Sequence, residues 1–261
     1  MRPVLFHIGS YPVYSYGVML FTAFLAGVLV AARELRSRGR DGSVMYTVGA
    51  VAAITGVAGA RAFYVLGHLE DFSGRWSLVF DLNMRGLVFY GGLFLAVPAC
   101  VLVVRRMGVP AGAVADAVGL ALPLSLAIAH VGCFLNGCCG GKPSGLPWAV
   151  TFPGSDVAVH PTQLYELVLD LAVFCGLLWF RKRLRRGWSL FLLSVACYGA
   201  VRFTVEFFRY HEDASAGIFF QVVSALLFCA GVSVLFFRER RSIAEAPESA
   251  DMGESGSDGG G

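Results

Sequence analysis

The sequence predicts an all-α integral membrane protein, a bundle of about seven transmembrane helices with an extracytoplasmic N-terminus and a cytoplasmic C-terminus. Three observations carry this expectation. Of 261 residues, 56% are hydrophobic and 15% charged, and mean hydropathy is +0.66, too apolar for a soluble domain of this length. Apolar runs of membrane-crossing length recur along the chain. Basic residues gather in every second connection between those runs.

The first run, near 15–32, is followed rather than preceded by arginines, so it reads as a retained helix and not as a cleaved signal peptide. Further runs lie near 44–66, 86–104, 112–131, 163–180, 188–207 and 216–237, each long enough to cross the hydrocarbon. The connections after the odd-numbered spans, and the segment after the last, carry Arg33, Arg36, Arg38 and Arg40; Arg105 and Arg106; Arg181, Lys182, Arg183, Arg185 and Arg186; and Arg238, Arg240 and Arg241. That is most of the 21 Lys and Arg, so the positive-inside rule makes this side cytoplasmic. Residues 1–241 therefore read as one transmembrane domain. The segment 242–261, rich in Glu, Asp, Ser and Gly, cannot bury a core and is expected to be a disordered cytoplasmic tail.

The opposite side carries the chemically richer connections, 67–85, 132–162 and 208–215. At the outer end of the sixth span, Tyr198, Arg202, Glu206 and Arg209 fall at spacings of four, four and three, on one helical face. An arginine inside a span marks a ligand site, a pathway or a counter-charge, or else snorkels with an i,i+4 partner; both readings fit Arg202 with Glu206. A second arginine, Arg61, at the outer end of the second span, suggests an anion held between the two, with a phospholipid headgroup the natural candidate. On the fifth span Gln163, Glu166 and Asp170 share a face directed into the bundle, for interhelical hydrogen bonding or for a direct role.

The fourth span runs into His130-Val131-Gly132-Cys133-Phe134-Leu135-Asn136-Gly137-Cys138-Cys139-Gly140-Gly141. So much glycine predicts irregular backbone near membrane depth. His130, Cys133, Cys138 and Cys139 amount to four zinc ligands on paper. Adjacent cysteines seldom point at one tetrahedral ion, however, and no C-x-x-C pair exists, so no metal is expected and a disulfide or simple packing is preferred. The other four cysteines stand singly in apolar runs.

Taken in order, these pieces resemble the bacterial prolipoprotein diacylglyceryl transferase family over roughly residues 10 to 237. The matching positions are Tyr16-Gly17, Gly59, Arg61 and Tyr64, Gly91-Gly92-Leu93, Gly132, Asn136 and Gly141, the run His160 to Glu166, the helix of Tyr198, Arg202, Glu206 and Arg209, and Gln221 with Ser224. The departures from the family pattern fall in two places: Tyr90 stands where the family has histidine before Gly91-Gly92-Leu93, and His130, Cys133 and Cys138 stand where its signature begins with arginine and carries asparagine and glutamate.

The resemblance implies transfer of a diacylglyceryl group from phosphatidylglycerol to the lipobox cysteine thiol of a prolipoprotein signal peptide, with release of glycerol phosphate. It implies a multi-pass protein of the bacterial cytoplasmic membrane, contacting membrane lipids and no nucleic acid, needing no cofactor, with its site on the extracytoplasmic side. Arg202, His130 and Tyr90 are then the catalytic candidates. Tyr16, Arg61, Gly91, Gly92, Asn136, Gly141, Gln163, Tyr198, Glu206 and Arg209 are the candidates for binding substrate. With tyrosine in place of the family histidine, and a free phenol a far poorer base at neutral pH than an imidazole, His130 is expected to take the thiol proton. Two other classes compete: a lipid-binding homologue without catalysis, and a small transporter or metal-handling protein centred on the cysteines. No repeated broken helices support the last.

Overall fold

The computed structural model describes residues 1–74, 76–80, 86–184 and 186–245. Seven helices are long and apolar enough to cross a membrane. In chain order the helices are α1 (Ser15–Ser37), α2 (Ser43–Gly67), the one-turn α3 (Leu69–Phe72), α4 (Phe89–Arg106), α5 (Ala111–Asn136), α6 (Thr162–Phe180), α7 (Ser189–Glu206) and α8 (Ala214–Glu245). Each apolar run becomes one helix, and the boundaries move where polar residues continue the helical pattern. Helix α1 outlasts its apolar stretch because Glu34 and Arg38 pair across one turn, Oε1 to Nε at 2.8 Å. Residues 242–245 extend α8, and the rest of the expected tail lies outside the described residues.

One expectation is corrected. The chain is not wholly helical: β1 (Val4–Ile8) pairs antiparallel with β2 (Tyr11–Tyr14), and β3 (Val150–Thr151) with β4 (Ala158–Val159). Both are hairpins outside the bundle, the first closed by a two-residue turn with Gly9 at φ +61°. The irregular backbone expected of the glycine-rich run begins after Asn136. Helix α5 runs to Asn136 and stops at Gly137, whose φ of +77° provides the left-handed cap.

Helix α5 is central, packing on α1, α6 and α7, while α2 pairs with α4 and α7 with α8. Leu120, Leu177 and Leu190 close the seam of α5, α6 and α7. The exterior is apolar and the interior holds the charges: Ile54 is 71% and Phe94 67% exposed, whereas Asp116 and Gln163 are fully buried. A soluble protein has the opposite arrangement, so the solvent of the outer face is lipid.

At the end carrying the basic residues, Glu34 accepts from Arg38 and Arg181, each at 2.8 Å, and Arg38 reaches Asp116 at 2.9 Å. The other Asp116 oxygen takes the Phe191 N–H at 3.0 Å. Basic residues that read as topology markers therefore also join α1 to α5 and to the end of α6 through ion pairs, and Asp116 carries the link on to α7 by its hydrogen bond. At the far end Gly91 allows α4 to lie directly on α2. A Cβ there would collide with Phe63 and lie 2.7 Å from the Gly59 carbonyl oxygen. Gly91→Ala is expected to destabilise the bundle by about 1–3 kcal/mol, read as a lower melting midpoint in detergent. An unchanged midpoint would mean that this crossing relaxes freely.

Candidate active site

The site is built where α5, α6 and α7 end together. After the Gly137 cap the chain crosses the ends of the other two helices, held by backbone pairing: Gly141 N–H donates to His160 at 2.8 Å and Lys142 N–H to Phe208 at 2.8 Å. Lys142 Nζ also donates to the Phe207 carbonyl at 2.9 Å, placing a cation at the C-terminus of α7. Glycine is required at 141, because a Cβ would strike the Phe208 carbonyl and lie 2.8 Å from His160 Cβ. From the start of α6, Thr162 Oγ1 donates to the Cys139 carbonyl at 2.7 Å, and Gln163 Nε2 donates to the Cys138 carbonyl. His160 is held by Tyr165, Nδ1 to hydroxyl at 3.0 Å, and stacks at a tilt on Phe208.

Beneath this crossing lies a buried charge cluster. Arg202 on α7 is held from two sides, Nη1 to Glu166 Oε1 at 2.7 Å and Nη2 to Glu206 Oε2 at 2.9 Å. Glu206 Oε1 also meets His211 Nε2. Arg209 Nη2 lies 3.8 Å from Glu166 Oε2. From α5, His130 brings Nδ1 to 3.3 Å from that same Glu166 oxygen, while its Nε2 stands 3.8 Å from Asp170 Oδ2, beyond hydrogen-bonding distance. Two arginines and two histidines thus share Glu166, Asp170 and Glu206, all three carboxylates at least 96% buried.

The cluster opens into a cavity of about 380 Å³. His130, Glu166, Asp170, Tyr198, Arg202 and Arg209 line its polar side, Tyr90 stands on the wall contributed by α4, and Phe220, Val223 and Leu227 of α8 form an apolar wall. A polar, cation-bearing floor beside an apolar wall suits an amphiphile with an anionic headgroup.

The sequence model of the prolipoprotein diacylglyceryl transferase family matches residues 3–237. The chain belongs to this family. Proteins named phosphatidylglycerol-prolipoprotein diacylglyceryl transferase from Bordetella avium and Mannheimia succiniciproducens are 33% and 32% identical to it, each over 92% of this chain and 96% and 95% of their own. One of the same name from Clostridium tetani is 30% identical over 80% of this chain and 86% of its own.

Among the residues that the family resemblance picked out, Arg202, His130, Tyr90, Tyr198 and Arg209 line one cavity, and Glu206 stands behind Arg202 as its counter-charge. Others lie elsewhere. Arg61, expected to share one anion with Arg202, is placed apart from it. Arg61 is not part of the cavity wall, and it donates to the carbonyls of Leu78 at 2.6 Å and Val79 at 3.0 Å while lying against Tyr64 and Phe72. It organises the connection between α2 and α4. Gly91 and Gly92 pack α4 on α2, and Gln163 is fully buried under the crossing. Asn136 and Gly141 shape the crossing itself, and Tyr16 lies against Gly132.

Two residues at the heart of the cluster, Glu166 and Asp170, were placed on an inward face by the sequence but not among the site candidates. Carboxylates four apart within an apolar helix were the available signal. His211 had none, since it lies in a connection beyond α7. The adjacent cysteines, expected to diverge, converge with Cys133. The Sγ atoms of Cys133, Cys138 and Cys139 all lie within 4.8 Å of one another, as free thiols.

Proposed function

We propose that this protein transfers the diacylglyceryl group of phosphatidylglycerol to the lipobox cysteine thiol of prolipoprotein signal peptides. It does so in the bacterial cytoplasmic membrane, from a site facing the extracytoplasmic side. Family membership supplies the reaction, and the observation that carries the site is the buried Arg202, Glu166 and His130 contact in a cavity with one apolar wall. The orientation rests on the basic residues clustered at the opposite ends of the helices.

In this reaction a sulfur-carbon bond forms at the glyceryl carbon esterified to phosphate, that carbon's bond to oxygen breaks, and glycerol phosphate departs. The thiol proton must go to a base. Arg202 is the phosphate anchor, because its fork offers paired donors and stays charged. Its partner Glu166 is the group a phosphate displaces from Nη1. Arg209, more loosely engaged, brings the second positive charge to the leaving phosphate.

Displacement gives Glu166 a second task. Its other oxygen already lies 3.3 Å from His130 Nδ1, so a carboxylate released by the phosphate orients the imidazole and stabilises its cation. His130 Nε2, without a close partner, is the nitrogen placed to take the thiol proton. Lipid binding and base activation are thereby coupled through one carboxylate. Tyr90, 70% exposed on the far wall, positions substrate rather than accepting the proton.

Purified protein mixed with phosphatidylglycerol and a lipobox peptide is expected to add a diacylglyceryl mass to the peptide cysteine. With intact spheroplasts, a peptide that cannot cross the membrane is modified from outside. Modification only after the membrane is opened would reverse the orientation, and lipid binding with no mass shift under either condition would overturn the transferase assignment.

A further inference from the structure

We propose that Cys133, Cys138 and Cys139 form a three-thiolate site for a thiophilic d10 cation, zinc foremost, at the outer end of α5. Their Sγ atoms lie within 4.8 Å of one another. Zinc-sulfur bonds of about 2.3 Å place coordinated sulfurs roughly 3.8–4.0 Å apart, so small side-chain rotations close the site. None of the three takes part in a disulfide.

The backbone is built for this convergence. Consecutive side chains diverge in helical or extended conformation, and Cys138 and Cys139 meet because Cys139 adopts φ +62°, a left-handed conformation uncommon outside glycine. Two fully buried side chains hold the strained turn: Gln163 on the Cys138 carbonyl and Thr162 on the Cys139 carbonyl. Cys133 reaches the same point from the last turn of α5, one turn before the Gly137 cap.

Binding exchanges three S–H bonds for three sulfur-metal bonds and releases three protons to water, leaving a net charge of −1 for a divalent ion. Arg209, within electrostatic range of Cys139, offsets it. Among the described residues no histidine or carboxylate joins the group, so the fourth position is open to water or to an exogenous ligand. The ion would fasten the crossing whose Gly141 pairs with Arg209, and so brace a cation of the cavity.

The test uses the full chain in detergent, reduced, stripped with a chelator and titrated with cadmium ion as a spectroscopic stand-in for zinc. One equivalent per chain is expected to bind with a thiolate-to-cadmium absorption band, to be displaced by zinc and to raise the melting midpoint. Cys138→Ser is expected to weaken binding by at least ~10²-fold, and Cys139→Ser likewise, while Cys197→Ser, in α7, binds as the parent does. A band undiminished in both ligand variants, the absence of a saturable band in the parent, or a disulfide between any two of the three in protein alkylated at lysis would each overturn the proposal. None of these readouts depends on transferase activity.

Discussion

Arg202→Ala is expected to lower the rate of diacylglyceryl transfer by ~10³-fold or more. Loss of a preorganised donor to developing charge alone costs about 10²–10³-fold, and here the charge on the leaving phosphate loses a full cation. The variant also leaves Glu166 and Glu206 buried without the guanidinium that bonds to both, at 2.7 Å and 2.9 Å. Breaking a buried pair from one side costs about 3–5 kcal/mol, so the melting midpoint falls together with the rate. Arg202→Lys separates the two effects. A lysine keeps the charge beside both carboxylates but offers a single point where the fork spans two, so most of the stability returns while transfer remains about 10²-fold down. The readouts are the initial rate of peptide mass shift and the melting midpoint of each variant. An Arg202→Ala protein within tenfold of the parent rate would place the phosphate elsewhere, with Arg209 the first alternative.

Sequence periodicity made the helices legible, because a segment that must cross hydrocarbon shows its length directly in composition. It also showed the α7 face, since Tyr198, Arg202 and Glu206 repeat every four residues. It could not show which faces meet. Arg61 and Arg202 both end helices on the same side, yet Arg61 turns to the carbonyls of its own connection. Nothing in spacing distinguishes that from a shared ligand. Glu166 became the centre only when α5 and α7 were placed on either side of α6, giving one carboxylate His130 and Arg202 as neighbours. The thiol group was hidden for a local reason: convergence of adjacent cysteines depends on the single φ of Cys139, which composition does not encode. The hairpins were masked by aromatic and apolar residues that read equally well as helix approaches.

His130→Ala is expected to slow transfer by about 10²–10⁴-fold, the range spanned by removing a positioned general base. The neutral imidazole is the working form, so the parent rate rises with pH as the imidazole loses its proton and then levels. In His130→Ala that rising limb is expected to disappear, because Nε2 is the nitrogen placed to take the thiol proton. Added imidazole restores part of the rate, which a merely structural defect would not allow. Glu166→Gln gives the complementary result: the imidazolium loses its 3.3 Å neighbour and Arg202 loses an ion pair, so the rate falls at every pH. Tyr90→Phe, in contrast, keeps the ring on the far wall and is expected to retain the rate within a few-fold with the pH limb intact. The opposite pattern, full activity in His130→Ala and loss in Tyr90→Phe, would transfer the base to the phenol. Tyr90 would then stand in both position and duty for the histidine that the family carries before its glycine pair. The positions argue against that, since Tyr90 is 70% exposed whereas His130 lies between two carboxylates inside the bundle.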